Sequence, residues 1–144
     1  METVISTKPL SYTEFQDFIM ASVNWFTPSL QDMPNLNNWI LKMYQNGIMY
    51  YFKPESNIVA LVVTYYNTEK KFIYIPYVCV HPNYQGKGIA GQIISYIVDH
   101  LPINIHSIYL EVIGNNTQAI QLYTKMGFYC SENRGEKLLM KKEV

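Results

Sequence analysis

A glycine-rich stretch near the middle of the chain has the residue types and spacing of an anion-binding loop. It reads Gln85-Gly86-Lys87-Gly88-Ile89-Ala90-Gly91, and a turn signal at Pro82-Asn83 precedes it. Glycines let the backbone approach a phosphate closely, and the unpaired amides at a helix start point at it with the positive end of the dipole. Of the 11 basic residues only Arg134 is an arginine, so backbone amides would have to bind the phosphate. The stretch therefore predicts a diphosphate site at the start of a helix.

The same glycines are compatible with other phosphate-binding motifs. As Gly86-x-Gly88-x-x-Gly91 they match the dinucleotide-binding fingerprint, and Glu111 lies the right distance downstream to bind a ribose hydroxyl. In that fingerprint, however, the first strand runs almost directly into the first glycine, whereas residues 81–85 intervene here. A nucleoside-triphosphate loop is excluded because Lys87 is followed by glycine instead of serine or threonine. A purely structural turn explains one glycine but not three at these spacings.

The periodicity of apolar residues predicts the elements that would position this loop. Four segments with apolar residues at three- and four-residue steps are predicted helices: 11–25, 36–45, 88–101 and 116–126. Six segments rich in β-branched and aromatic residues are predicted strands: 48–52, 58–66, 72–80, 108–113, 128–131 and 137–141. The strand, helix, strand order around the loop predicts a parallel crossover inside a mixed α+β sheet.

Composition limits the classes of protein and partner. A chain of 144 residues suits one domain, residues 1–144, with its own core. Acidic and basic residues each total 11, so we expect neither a nucleic acid nor an anionic membrane as partner. No stretch reaches the roughly 18 apolar residues that span a bilayer, and we expect a cytoplasmic protein. Cys79 and Cys130 form no metal-spaced pair, which predicts two buried free thiols and no metal site.

Several motifs together resemble one family. The pattern Gln85-x-x-Gly88-x-Ala90 is similar to the pyrophosphate-binding signature of the GCN5-related N-acetyltransferase (GNAT) family. Residues 80–90 resemble that family's whole strand, loop and helix entry. Downstream, Leu110-Glu-Val-Ile-Gly-Asn-Asn116 and the Leu-Tyr and Gly-Phe pairs up to residue 128 resemble its next strand and helix in order and spacing. The resemblance is strong over residues 72–130 and rests on element order alone before residue 70.

The resemblance implies a fold and a co-substrate. It implies a mixed sheet of six to seven strands with about four helices, in which two central parallel strands splay apart. It also implies acetyl-CoA, with its pyrophosphate on residues 85–91 and its pantetheine arm in the gap between the strands. Carried onto matching positions, Val78 would donate its amide to the thioester carbonyl, and Val80 would pair with the pantetheine. Asn116 would cap the following helix, contact the pantetheine, or do both.

The implied chemistry is attack of a neutral primary amine on a thioester, which needs a base, oxyanion stabilisation and an acid. Tyr123 occupies the family's tyrosine position near the cofactor sulfur and is the candidate acid, the alternative being a tyrosine packed in the core. A glutamate that some relatives carry four residues before the amide donor is replaced here by Tyr74. Glu111 matches a glutamate used as base elsewhere in the family; a structural carboxylate is the equal alternative.

The acceptor is the part that the sequence leaves unnamed. We expect residues 24–35, the strands around Tyr50, Tyr74 and Tyr77, and the last hairpin with Arg134 to bind it. Aromatic residues in these segments could form a wall for an amine or a peptide end, or could instead be core or the surface of a homodimer. A non-catalytic acyl-CoA-binding module is the alternative from another functional class, and a dinucleotide-binding protein is a less favoured one.

Overall fold

The computed structural model describes residues 2–144. Its four α-helices are α1 (Tyr12–Ser22), α2 (Leu36–Asn46), α3 (Ile89–Asp99) and α4 (Thr117–Lys125). Its seven strands are β1 (Ile5–Ser6), β2 (Ile48–Phe52), β3 (Ala60–Asn67), β4 (Phe72–Val80), β5 (Ser107–Ile113), β6 (Tyr129–Arg134) and β7 (Lys137–Glu143). Every predicted helix and strand is confirmed, with ends within three residues of the prediction. The two-residue strand β1 was not predicted.

The strands form one mixed sheet in the order β1-β2-β3-β4-β5-β7-β6. Among residues 2–144, β4 and β5 are the one parallel pair, and helix α3 connects them. The other neighbouring strands are antiparallel. This topology confirms the predicted fold class and lacks the run of parallel strands that a doubly wound dinucleotide-binding sheet requires.

Two apolar cores lie on opposite faces of the sheet. The α3/α4 core joins helices α3 and α4 to the sheet, with Ile89, Ile93, Ile97 and Tyr123 among its buried residues. The α1/α2 core covers the other face of β2, β3 and the end of β4, with Phe15, Ile19, Ile40 and Met43 among its buried residues. Helix α1 is capped by Ser11, whose hydroxyl accepts the Glu14 amide at 3.1 Å.

Strand β4 separates from β5 halfway along its length. Their parallel pairing ends where Ile75 meets Leu110, although β4 continues to Val80 and β5 continues to Ile113. Strand β5 keeps its other neighbour, β7, along its whole length. The two central strands therefore diverge and leave a gap, which is the splay that the family resemblance implied.

A β-bulge in β4 lies where the two strands separate. Val63 pairs with Tyr77 but Tyr65 pairs with Tyr74, so β4 has one residue more than β3 across this step. Pro76 is in the extra stretch, and a proline inside a sheet is tolerated mainly at such bulges because it has no N–H to donate. The proline was a signal for the bulge that our sequence analysis did not use.

The bulge also exchanges the faces of the sheet that β4 side chains occupy. Ile75 packs in the α3/α4 core, whereas Tyr77 and Cys79, at alternate positions after it, are buried in the α1/α2 core. The prediction of two buried thiols is half wrong: Cys79 is buried, but Cys130 is exposed. Cys130 lies on the edge strand β6, which no helix covers and all of whose residues are exposed. Among residues 2–144, no helix has both the length and the apolar character needed to cross a bilayer.

Candidate active site

A cleft of about 920 Å³ opens between the glycine-rich loop, the end of β4 and helix α4. All the predicted cofactor-binding residues except Lys87 line it: Val78, Val80, Gln85, Gly86, Gly88, Ile89, Ala90, Gly91 and Asn116. The structure thus brings together residues that lie almost 40 positions apart in the sequence. The volume is within the range of protein sites for cofactor-sized ligands.

The loop presents free backbone amides to this cleft. Gly86 and Gly88 have φ angles of 78° and 77°, a left-handed conformation that side chains disfavour. Gly88 is the N-cap of α3, and no side chain accepts a hydrogen bond from the first turn of that helix. Since the first amides of a helix have no partner within it, these donors are available to an anion, and the helix dipole attracts negative charge to them.

The end of β4 adds backbone groups on the side of the strand gap. The His81 amide donates to the Val59 carbonyl at 2.8 Å, and this bond shows which alternate residues of β4 direct their backbone groups toward β3. Because bonding alternates along an antiparallel pair, Val78 and Val80 direct their amides away from β3 and toward the gap. The predicted donor positions therefore have the orientation that their role requires.

The side chains of Gln85 and Lys87 also make contacts next to the glycine-rich loop. The Gln85 side-chain amide donates to the Val80 carbonyl at 3.0 Å, so it ties the loop to the end of β4. The Lys87 ammonium lies 5.4 Å from the centre of the Tyr84 ring. Lys87 is the one predicted cofactor-binding residue that does not line the cleft.

Asn116 caps helix α4 at the cleft wall. Its side-chain oxygen accepts the Ala119 amide at 3.1 Å, so the capping role is present. Its side-chain NH₂ group has no hydrogen bond to the rest of residues 2–144. Asn116 thus caps the helix and keeps a free NH₂ group, which is compatible with both functions that the sequence suggested.

Replacing Asn116 tests its capping function. We expect Asn116→Ala to lower the free energy of unfolding by about 1 kcal/mol, the usual value of an N-cap, as measured by urea denaturation. Asn116→Ser keeps a capping oxygen but loses the NH₂ donor, so it should be as stable as the parent. If the alanine variant is as stable as the serine variant, the cap does not contribute as argued.

Tyr123 lies behind the cleft wall. It is 7% exposed in the α3/α4 core and packs on Phe128 with ring centres 5.7 Å apart. Burial alone raises the pKa of its hydroxyl to about 12. Its neighbours Leu122 and Thr124 line the cleft, but Tyr123 does not. The hydroxyl is thus held protonated, in the form that an acid requires, on a residue whose neighbours along α4 line the cleft.

Glu111 lies at the point where β4 and β5 diverge, one residue beyond their last pair. Its carboxylate accepts a hydrogen bond from the Tyr74 hydroxyl at 3.3 Å and forms an ion pair with Arg134 at 3.2 Å. Burial, and then the negative charge of Glu111, raise the pKa of Tyr74 to about 12, so Tyr74 remains a donor. Tyr74 stands where some relatives carry a glutamate, and it hydrogen-bonds to Glu111, the other candidate for the base.

The predicted aromatic wall does not form as one surface. Tyr50 is in the α3/α4 core, where its hydroxyl bonds that of Tyr66, whereas Tyr77 is in the α1/α2 core. Tyr77 is 3% exposed, with its hydroxyl 2.7 Å from that of Ser22. Phe26, in the loop before α2, packs on it at 5.8 Å. Of the alternatives that the sequence left open, Tyr50 and Tyr77 are core residues, and the bulge in β4 and the strand pleat put them on opposite faces of the sheet.

Helix α4 supplies cleft residues that sequence reasoning missed. Gln118, Gln121 and Lys125 line the cleft beside the glycine-rich loop. Their three- and four-residue spacing puts them on one side of the helix. The available sequence signal for these residues was a stripe of polar residues on a helix that also carries core residues. A helix face that is only exposed to solvent has the same pattern.

Comparison with known proteins gives the family. The model of the Acetyltransferase (GNAT) family matches residues 13–128. Over 80 residues the chain is 32% identical to the spermidine N(1)-acetyltransferase of Vibrio cholerae, covering 51% of this chain and 44% of that protein. Over 67 residues it is 33% identical to the spermine/spermidine N(1)-acetyltransferase of Bacillus subtilis, covering 43% and 44%. The matched stretches span less than half the length of these curated relatives.

Solved structures share the fold. The Pyrococcus horikoshii protein PH1933 superposes with a TM-score of 0.78 at 23% identity, covering 99% of both chains. The ribosomal-protein-S18-alanine N-acetyltransferase of Escherichia coli has a TM-score of 0.76 at 17% identity, covering 99% and 94%. Arabidopsis thaliana NAA60 with a bisubstrate analogue has a TM-score of 0.74 at 17% identity, covering 98% and 99%. With the splayed strands and the glycine-rich loop in place, the match over residues 13–128 shows that this chain belongs to the Acetyltransferase (GNAT) family.

Proposed function

We propose that the chain is an acetyl-CoA-dependent N-acetyltransferase in which residues 1–144 act as one catalytic domain. The observation that carries the proposal is one cleft lined both by the uncapped start of α3 and by the gap-facing residues of β4. The start of α3 suits a diphosphate, and the gap-facing residues of β4 suit an extended arm that contains amides. Coenzyme A has both a diphosphate and such an arm. The unpaired thiols Cys79 and Cys130 suit a reducing compartment, so we place the reaction in the cytoplasm.

The residues of the cleft fit each part of this co-substrate. The amides of the first turn of α3, with Gly86 and Gly88, would bind the pyrophosphate without a cationic side chain. The amides of Val80 and Val78 would pair with the pantetheine and with the thioester carbonyl, where negative charge develops. The co-substrate supplies an activated acetyl thioester. Asn116 would donate its free NH₂ group to the pantetheine.

The proton transfers fall to two side chains in this proposal. Glu111, at the divergence of the strands, would accept the proton of the acceptor ammonium directly or through water. Tyr123, held protonated by burial, would donate a proton to the departing thiolate. The acceptor is a primary amine of a small molecule, peptide or protein. Spermidine is the first to test because both curated relatives compared above are named for it.

The acid role predicts a moderate effect of Tyr123→Phe. We expect kcat to fall about tenfold, while the acetyl-CoA affinity stays within about twofold of the parent's. The fall in kcat is moderate because a thiol with a pKa near 8.5 is a good leaving group and needs little help from an acid. Single-turnover thiol release measures the chemical step. Tyr51→Phe is the matched control: it makes the same change at a residue 5% exposed, on strand β2. An unchanged rate constant for chemistry removes Tyr123 from the acid role.

A non-catalytic acyl-CoA-binding module is the second candidate function. One observation favours it: both oxygens of Glu111 already have partners within the chain, Tyr74 and Arg134. Incubation with acetyl-CoA and a panel of amines, peptides and aminoglycosides, with free thiol followed, separates the two. We expect thiol release that depends on an acceptor. Acetyl-CoA binding without such release for any member of the panel favours the module.

A further inference from the structure

Both oxygens of the Glu111 carboxylate already accept a hydrogen bond within the chain, while 24% of the side chain is exposed. The Tyr74 hydroxyl donates to its Oε1 at 3.3 Å, and the Arg134 guanidinium donates to its Oε2 at 3.2 Å. An acceptor ammonium that gives its proton to Glu111 directly must reach one of these oxygens. At that oxygen it competes with the partner already bound there.

The two partners differ in how firmly they are held. Tyr74 is a half-buried residue of the central strand β4, and its raised pKa keeps it a donor. Arg134 ends the edge strand β6, where every residue is exposed, and 44% of its side chain is open to solvent. Exposed ion pairs contribute little free energy because water and salt screen them. Arg134 is the partner that can leave at low cost.

A second carboxylate lowers that cost further. The Nε and Nη2 atoms of Arg134 each lie 3.1 Å from Oε2 of Glu132, on the same strand. If the guanidinium rotates away from Glu111, these contacts to Glu132 can remain. The positive charge of Arg134 then keeps a partner while the carboxylate of Glu111 becomes available.

We infer that Arg134 covers Glu111 as a specificity-determining residue and that the positively charged amino group of the acceptor displaces it. The inference rests on the proposed function and on Glu111 as the base. Arg134 competes with the acceptor for one oxygen, so it acts on acceptor binding and not on acetyl-CoA. An acceptor needs a positive charge at the reacting end to take this place, which disfavours neutral or anionic compounds.

The inference predicts that Arg134→Gln improves acceptor binding. With spermidine or a short peptide with a free amino terminus, whichever the parent uses, KM for the acceptor should fall about two- to fivefold, the range for exposed pairs. The value of kcat should change less than about twofold, as should the acetyl-CoA affinity. Arg134→Lys, which keeps the charge but loses the planar fork, should give an intermediate KM.

Lys137→Gln is the matched control, because Lys137 pairs with Arg134 across the same hairpin, whereas the ion pair with Glu111 is made by Arg134. It should leave the acceptor KM unchanged. A KM that rises or stays the same in Arg134→Gln, or falls equally in both variants, overturns the inference while the proposed function stands. A parent protein without acceptor-dependent thiol release overturns both.

Discussion

Replacing Gly88 with valine is expected to abolish acetyl-CoA binding under ordinary assay conditions. Gly88 has a φ angle of 77°, and an added Cβ would meet nothing closer than Gln92 at 4.0 Å. The problem is therefore the backbone conformation and not a lack of space. A left-handed residue with a β-branched side chain costs more than about 1–2 kcal/mol, and relieving it reorients the amides at the start of α3. We expect a loss of affinity of at least about 100-fold by calorimetry.

The control for this change is a glycine with the same conformation elsewhere. Gly135, in the turn between β6 and β7, has a φ angle of 73° with open space around it and lies outside the cleft. Gly135→Val should lose similar stability but bind acetyl-CoA as the parent does. A folded Gly88→Val protein with normal affinity would show that the loop does not bind the pyrophosphate.

Replacing Glu111 with glutamine is expected to lower kcat about 100-fold with little change in acetyl-CoA affinity, the low end of a general base's contribution. Glutamine keeps the size and can still accept from Tyr74, but it has no carboxylate to take a proton. Steady-state kinetics with a fixed acceptor measures kcat, and calorimetry measures the acetyl-CoA affinity.

Glu132→Gln distinguishes a base from a structural carboxylate. Glu132 contacts the same arginine as Glu111 but lies on the exposed strand β6, farther from the strand gap. It should retain kcat within about threefold, since surface ion pairs contribute little. Equal losses of kcat in the two variants would mean that the ion-pair network, and not a base at position 111, supports activity.

Local features made the geometry of the candidate cofactor loop and of the start of α4 predictable from sequence. Glycines with positive φ, an uncapped helix start and an Asn cap are each specified by a few neighbouring residues, and residues 85–91 and Asn116 carry those signals. The crossover order around α3 then required that β4 and β5 be parallel. Residues at the end of β4 were reached only through the family resemblance, since the roles proposed for Val78 and Val80 belong to their backbones.

The features that sequence reasoning missed depend on contacts between distant segments. The bulge at Pro76 sets which face Tyr77 occupies, and so it divided the expected aromatic wall. The contact between Glu111 and Arg134 needs β5 and β6 on either side of β7, a strand order that chain order does not reveal. Cys130 reads as a buried strand residue, but its strand is an uncovered edge. In each case tertiary context, and not local preference, decides the outcome.

The most direct test of the central claim follows the acetyl group itself. Acetyl-CoA labelled with ¹³C at the acetyl carbonyl is incubated with the protein and spermidine, or another amine from the panel, and the carbonyl signal is followed by NMR. The account predicts that the thioester signal is replaced by an amide signal, only when protein and acceptor are both present. A thioester signal that persists with every amine although the protein binds acetyl-CoA, or one that converts to free acetate, would contradict it.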